Sequence, residues 1–315
     1  MANEYGIIST IDTTVLATSL ADYQKVLVDN VYNSTDIMKR LSRNKKPING
    51  GLSVVESVIK AKQDDGGFYL GADVLNNTQG HDVTLVEFKW QNAYEPIQIT
   101  RDEERQNSGD THKIIDLVAT KTKLAEKAIS DRLEQALSTP VGEAGNLLDL
   151  ETIVNTGSLG TLTGSTDTFW QSTVTTSGAF ATQGLTDMTT AYYAVSSGAT
   201  VDNPTIFITT KSIFQKFEQT RLPLERISSV ATVNAGWENL TFKGKPLIYG
   251  GYIASGLLFG LNENYIYLAV DSATDLITTP FISPTNQTAK VAYILWRGQL
   301  YTNNRRRHFK LTNIS

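Results

Sequence analysis

The sequence predicts an α+β fold, and three observations carry that reading. Residues 50–94 show strand-like alternation in two runs, residues 112–138 hold a sustained helical period, and beyond residue 184 short helices and strands mix before a β-rich close.

The chain has 315 residues, enough for about two domains and for burying roughly three-quarters of its unfolded surface. It contains no cysteine, which excludes disulfides and thiolate metal sites and fits an assembly site in the cytoplasm. With 28 basic and 32 acidic residues the formal charge is −4, so nothing global draws the chain to a nucleic-acid backbone. The opening MANEYGIIST lacks the basic region and apolar core of a secretion signal. No apolar run reaches the ~18 residues of a membrane span. The nearest, 247–261, is glycine-rich and stops at Asn262-Glu263-Asn264, so it reads as soluble β-structure.

In chain order, residues 1–47 read as an arm. A polar start is followed by a short helical pattern through Leu20, Val26, Leu27 and Val31, then by a basic segment containing Lys39, Arg40, Arg43, Lys45 and Lys46 that ends at Pro47. Its apolar residues are too sparse for a core of its own, so it packs on something else. Residues 48–94 read as a long hairpin. Leu52, Val54 and Val58 alternate with polar positions, Asp64-Asp65-Gly66-Gly67 signals a turn, and Val83-Thr84-Leu85-Val86-Glu87-Phe88-Lys89-Trp90 forms the return strand after a polar stretch of Asn76, Asn77, Gln79 and Gly80. A lone two-stranded ribbon is marginal in water, so this one needs a partner surface, which another copy of the chain can supply.

Ser108-Gly109-Asp110-Thr111 supplies N-cap residues for the helix that follows, whose apolar face runs through Ile114, Val118, Ala125, Ile129, Leu133 and Ala136, flanked by Ile115, Leu124 and Leu137. Pro140 and Gly142 stop it. At 1.5 Å per residue it spans roughly 40 Å, a rigid spine. Residues 141–184 are rich in Thr, Ser and Gly, and Leu147, Leu148, Ile153 and Trp170 are their expected anchors. A helix is expected over 185–197, a buried strand over 205–209, a helix over 211–219, a hairpin over 240–249 turning at Gly244, a strand over 265–270, and a closing pair, 290–300 and 305–311, around Asn303-Asn304. No internal repeat of 20 to 50 residues is visible.

The order of these parts, an arm, a long hairpin, the stretch Pro96-Ile97-Gln98-Ile99-Thr100-Arg101-Asp102-Glu103-Glu104-Arg105, a spine helix, an α+β unit and a basic strand pair, resembles tailed-bacteriophage major capsid proteins of the Hong Kong 97 fold. The likeness covers nearly the whole chain from about residue 20. It implies an arm at 1–47, an E-loop at 48–94, a P domain at 95–183 with 276–315, and an A domain at 184–275. It also implies self-assembly as pentamers and hexamers into an icosahedral head around the phage genome, with portal and decoration proteins as further partners and the virion as the location. The arm is shorter than the cleaved scaffolding segment that many members carry, so a separate scaffolding protein and no N-terminal cleavage are expected. Members can cross-link a hairpin lysine to a P-domain asparagine; only Lys60 or Lys62 with Asn286 could correspond, and no glutamate is identified for the step.

Catalysis has little support in the residues. His81, His112 and His308 are widely separated in polar or basic contexts and read as surface residues. No G-x-S-x-G elbow, Walker loop or H-E-x-x-H occurs. Gly157, Gly160 and Gly164 in GSLGTLTG lack the basic residue and following helix of a phosphate cradle, so they read as a flexible loop. No cofactor or metal is expected: Asp102, Glu103 and Glu104 are consecutive and diverge, and they read as helix-start or subunit-contact charges.

Arg305, Arg306 and Arg307 read as an alternating strand, with Arg305 and Arg307 on one face and Arg306 with His308 on the other. Salt bridges to a neighbouring subunit are favoured, with the Arg101–Arg105 segment as candidate mate. Non-specific contact with packaged DNA and a solvated strand end remain open. Arg40, Arg43, Lys45 and Lys46 follow the same logic. The alternative function is another phage structural protein, a tail tube or adaptor, and a third is a sugar- or peptide-binding β module.

Overall fold

A computed structural model describes residues 36–62, 67–74, 82–106, 111–140, 146–196, 202–225, 240–285 and 288–315. The short helix expected before residue 35, the turn at 64–66, the polar stretch 76–80, the N-cap residues 108–110, and Asn286 lie outside these.

A helix at Asp36–Leu41 and a 3-10 turn at Ser42–Asn44 lead into β1 (Lys45–Ile48), β2 (Ser53–Ile59), β3 (Val83–Lys89) and β4 (Gln91–Thr100). The helices Arg101–Gln106 and Thr111–Ser138 follow, then a single turn at Leu150–Ile153 and β5 (Thr173–Thr176). Helix Leu185–Val195, entered through a π turn at Phe180–Gly184, precedes β6 (Ile206–Thr209) and helix Lys211–Glu225. The close is β7 (Thr241–Phe242), β8 (Lys245–Tyr249), β9 (Leu258–Leu261), β10 (Ile266–Asp271), β11 (Ile277–Thr278), β12 (Ala289–Thr302), a 3-10 turn at Arg305–Arg307 and β13 (Phe309–Thr312).

Among the described residues the chain divides into two compact units, one of residues 92–132 and 273–297 and one of residues 36–91, 133–272 and 298–315. In the first, β4 and β11 both pair with β12, with Ile277 opposite Leu295. Ile97, Ile99, Leu117, Ile129, Ile294 and Trp296 are among its buried apolar residues.

The second unit holds a six-stranded sheet ordered β5-β13-β9-β6-β8-β7, mixed in sense: β6 runs parallel to β8 and antiparallel to β9. All four residues of β6 are buried, as its unbroken Ile-Phe-Ile-Thr run requires of a strand covered on both faces. Phe180, Met188, Tyr192, Ile213 and Phe217 from the flanking elements pack with Phe207, Phe242 and Phe309 in one core. Phe207 and Phe242 meet edge to face at 5.3 Å. Gly260 is obligatory here, because a Cβ would come within 2.1 Å of the Phe309 ring. The β7–β8 turn places Lys243 and Gly244 both at positive φ, 50° and 74°, the two-residue hairpin turn expected at Gly244.

The same unit carries the arm strand β1, parallel to β10, which is antiparallel to the end of β12. It also carries the ribbon β2–β3, registered from Ser53 opposite Lys89 to Ile59 opposite Val83. The ribbon, the spine helix and the anchors Leu147, Leu148, Ile153 and Trp170 agree with the sequence reading. Three expectations need correction. The spine helix buries Ala125, Ile129, Leu133 and Leu137 as expected and adds Leu117, but Leu124, expected to flank that face, is exposed. Leu52 is exposed, not in phase with Val54. The last strand begins at Phe309, and residues 305–307 form a 3-10 turn, whose threefold period does not sort Arg305 and Arg307 onto one face.

Candidate functional site

The ribbon carries apolar residues on both faces, which is unusual for a two-stranded element. Alternation sends Val54, Glu56 and Val58 of β2 and their partners Phe88, Val86 and Thr84 of β3 to one side. That side is covered within the chain: Val86 and Phe88 are buried, Phe88 packs on Tyr301 at 5.6 Å, and Gln299 Nε2 donates to Lys89 O at 2.8 Å. A cavity of about 240 Å³ remains beneath it, lined by Phe88, Leu148, Gly160 and Gln299.

The opposite side is open. Val55, Ile59, Val83 and Leu85 are 52%, 73%, 63% and 59% exposed, and toward the tip Phe68, Tyr69, Leu70 and Val74 are exposed as well. Water-facing strand positions are ordinarily polar, so the four apolar side chains that the register gathers on this open face mark a contact face.

The charged candidates divide by partner. Arg40 forks onto Glu263, Nε to Oε1 at 2.7 Å and Nη2 to Oε2 at 3.2 Å, and Thr205 Oγ1 donates to Glu263 at 2.8 Å. Burial alone would raise the Glu263 carboxyl, but the Arg40 fork and the Thr205 hydroxyl outweigh it and hold the group below its ordinary range. Lys46 sits 3.8 Å from Glu56 and over the Tyr267 ring. Arg43 and Lys45 are exposed.

In the other unit, Arg101, Asp102 and Arg105 are exposed, and Glu104 pairs with Lys290. Glu103 is a correction. It is buried, accepting from Thr100 N at 2.8 Å while Thr100 Oγ1 accepts from Glu103 N, and Lys121 Nζ lies 2.6 Å from its Oε1. Burial pushes this carboxyl up, and Lys121 with Thr100 pulls it net down. Thr100-x-x-Glu103 is a capping box, so of the two roles expected for this charge it takes the helix start and not the subunit contact.

Arg305 is the second correction. It is fully enclosed, and its guanidinium donates to Ile153 O at 2.8 Å, Gly157 O at 2.7 Å, Trp170 O at 3.0 Å and Thr152 O at 3.1 Å. It is therefore an internal anchor, not a contact for a neighbour. Arg307 reaches Val195 O at 3.1 Å and Asp202 at 3.6 Å, and Arg306 is exposed.

His308 is the third. It is buried, Nδ1 accepts from Asn262 N at 3.2 Å, and Nε2 lies 3.2 Å from Thr302 Oγ1. Burial, reinforced by Arg305, pushes its pKa down to about 3, so the ring is neutral and Nε2 carries the proton toward Thr302. The side chain of His112 and all of His81 lie outside the described residues. Lys60 and Lys62 are exposed. Among the described residues no three His, Cys, Asp or Glu side chains are grouped to hold a metal ion. Among them, too, no helix is long and apolar enough to cross a membrane.

No protein-family model and no curated protein matches the sequence. Solved structures do. The capsid asymmetric unit of cyanophage A-1(L) superposes with a TM-score of 0.69 at 14% identity, covering 94% of this chain and 97% of that one. The capsid of Myoviridae phage XM1 gives 0.57 at 11% identity over 99% and 100%. The SrpI encapsulin complex of Synechococcus elongatus gives 0.59 at 11% identity over 98% and 96%. Matches of this extent, end to end on both sides, identify the architecture: the chain has the Hong Kong 97-type capsid fold.

Proposed function

We propose that this chain is the major capsid protein of a tailed bacteriophage, a non-enzymatic subunit that assembles as pentamers and hexamers into the icosahedral head around the genome. The observation that carries the reading is the ribbon's open apolar face on a chain whose fold matches phage capsid subunits over nearly their full length. Burying that face against a second copy removes large apolar groups from water, each worth about 1.5–3 kcal/mol when fully covered. Repeated around a closed shell, such modest contacts act together.

In this reading residues 48–94 are the E-loop, residues 95–183 with 276–315 the P domain and residues 184–275 the A domain. Arg43, Lys45, Arg101, Asp102, Arg105 and Arg306 are exposed charges that would face neighbours. A separate scaffolding protein, a portal and decoration proteins are the partners, packaged DNA meets the inner surface without sequence preference, and assembly takes place in the host cytoplasm. The likeness to the Synechococcus elongatus encapsulin complex favours a second reading, a shell of that kind.

Electron microscopy of the expressed chain, alone and with its scaffold, tests the proposal. Closed shells or ring-shaped capsomers are expected. Open tubes would point to the tail-tube reading, and a monodisperse monomer at high concentration would overturn assembly altogether. Nucleic acid extracted from particles of the native source separates a phage head from an encapsulin-type shell.

A further inference from the structure

The glycine-rich run Gly157-Ser158-Leu159-Gly160-Thr161-Leu162-Thr163-Gly164, expected to be a flexible loop, is tightly built. Leu159 and Leu162 are buried and bridge each other, with Leu159 N donating to Leu162 O at 3.0 Å. Trp170, itself buried, donates Nε1 to Leu159 O at 3.2 Å. Asp167 accepts from Thr163 N at 3.2 Å. A Cβ on Gly164 would lie 1.9 Å from Thr156 O, so the backbone closes on itself where only glycine fits. The enclosed Arg305 binds the run's first carbonyl, Gly157 O, and Trp170 O together.

This compact run faces the ribbon. Gly160 has φ +63°, and a Cβ there would meet Glu87 O at 2.7 Å, so the turn approaches β3 as closely as a backbone can. Next to it the Thr161 hydroxyl accepts from Glu87 N at 3.3 Å and donates to Leu85 O at 3.4 Å, engaging two backbone groups of β3 with one side chain.

We propose that residues 157–164 form a rigid seat that sets the direction in which the ribbon leaves the body, and so the geometry with which its open face meets a neighbouring copy. The physical logic is that of a lever. A two-stranded ribbon has little stiffness of its own, and its bearing is decided where its base is gripped. The grip joins β3 to Arg305 through Thr161, Gly160, Leu159, Gly157 and Trp170, a path of hydrogen bonds and close contacts inside one compact unit. The inference rests on the shell reading for its consequence, though not for the grip itself.

Thr161→Val removes the hydroxyl at nearly constant volume, and Thr161→Ser keeps it. In the full-length, unassembled chain, hydrogen exchange at the Glu87 amide is expected to quicken about five-fold in Thr161→Val, the effect of losing one hydrogen bond, and to stay near the unsubstituted rate in Thr161→Ser. Under assembly conditions Thr161→Val is expected to give a shifted or broadened distribution of particle diameters. Gly160→Ala, which clashes with Glu87 O, is expected to shift it further. Unchanged exchange in Thr161→Val overturns the seat, and faster exchange with unchanged diameters overturns its link to shell geometry. Should the unsubstituted chain form no closed particle, the shell reading fails while the exchange comparison still decides whether the seat grips the ribbon.

Discussion

Arg305 is the residue on which the interior of the larger unit is most heavily invested. Its five N–H donors suit several acceptors at once, and four carbonyls from residues 152 to 170 converge on it. Arg305→Met would leave those carbonyls buried without their donor, so a loss on the order of 3 kcal/mol is expected in urea unfolding. Arg305→Lys, a point charge in place of a fork, is expected to recover only part of it. In the sequence Arg305 stands beside Arg306 and Arg307 with nothing local to tell them apart, yet one is enclosed, one exposed and one bound to Val195 and Asp202. The distinction comes from a 3-10 turn that points one side chain inward. Thr100 and Glu103 are the opposite case, because a capping box is a spacing rule readable without coordinates.

At the scale of elements, the arm segment Asp36–Ile48 is the part whose attachment titrates. Ile37 and Leu41 are buried, Glu134 accepts the Met38 N–H at 2.6 Å, and Glu263 holds Arg40. Arg43 and Arg40 are the cations acting on Glu263, with the Thr205 hydroxyl beside them. Because the folded-state carboxyl lies below its ordinary value of 4.5, the unfolded chain binds the proton more readily, and the pair's stabilisation is complete above that value and lost as pH falls through the lowered one. Limited proteolysis of the segment is expected to be slow near neutrality and to quicken below about pH 4. Arg40→Gln is expected to flatten that dependence, and a pH response unaltered by the substitution would contradict the assignment. The spine helix and the ribbon were readable because their periods persist over many residues. The burial of Leu117 and the exposure of Leu124 were not, since several apolar residues on one helix compete for burial and the packing partner decides among them.

For the whole molecule, the proposed shell function makes assembly through the ribbon's open face separable from folding. Leu85→Asp places a charge on the exposed side, opposite Ser57 and away from the covered Val86 and Phe88. Stability of the unassembled chain should stay within about 0.5 kcal/mol, as for surface substitutions generally. The yield of closed particles is expected to collapse, because the same unfavourable contact recurs at every copy of the interface. Normal shells from Leu85→Asp would show that the face does not carry assembly.

What the amino-acid sequence determined by itself was the succession of elements: a ribbon, a spine helix, a mixed unit and a basic close, each arising from short-range periodicity and turn residues. Only the tertiary structure decided which charges remain available, why GSLGTLTG is stiff, and which face of the ribbon is open. Those outcomes depend on partners far away in the chain, such as Arg305 with Gly157, Gln299 with Lys89, and Arg40 with Glu263. A local pattern records how a segment prefers to fold, but burial and pairing are set by whatever the rest of the chain brings against it.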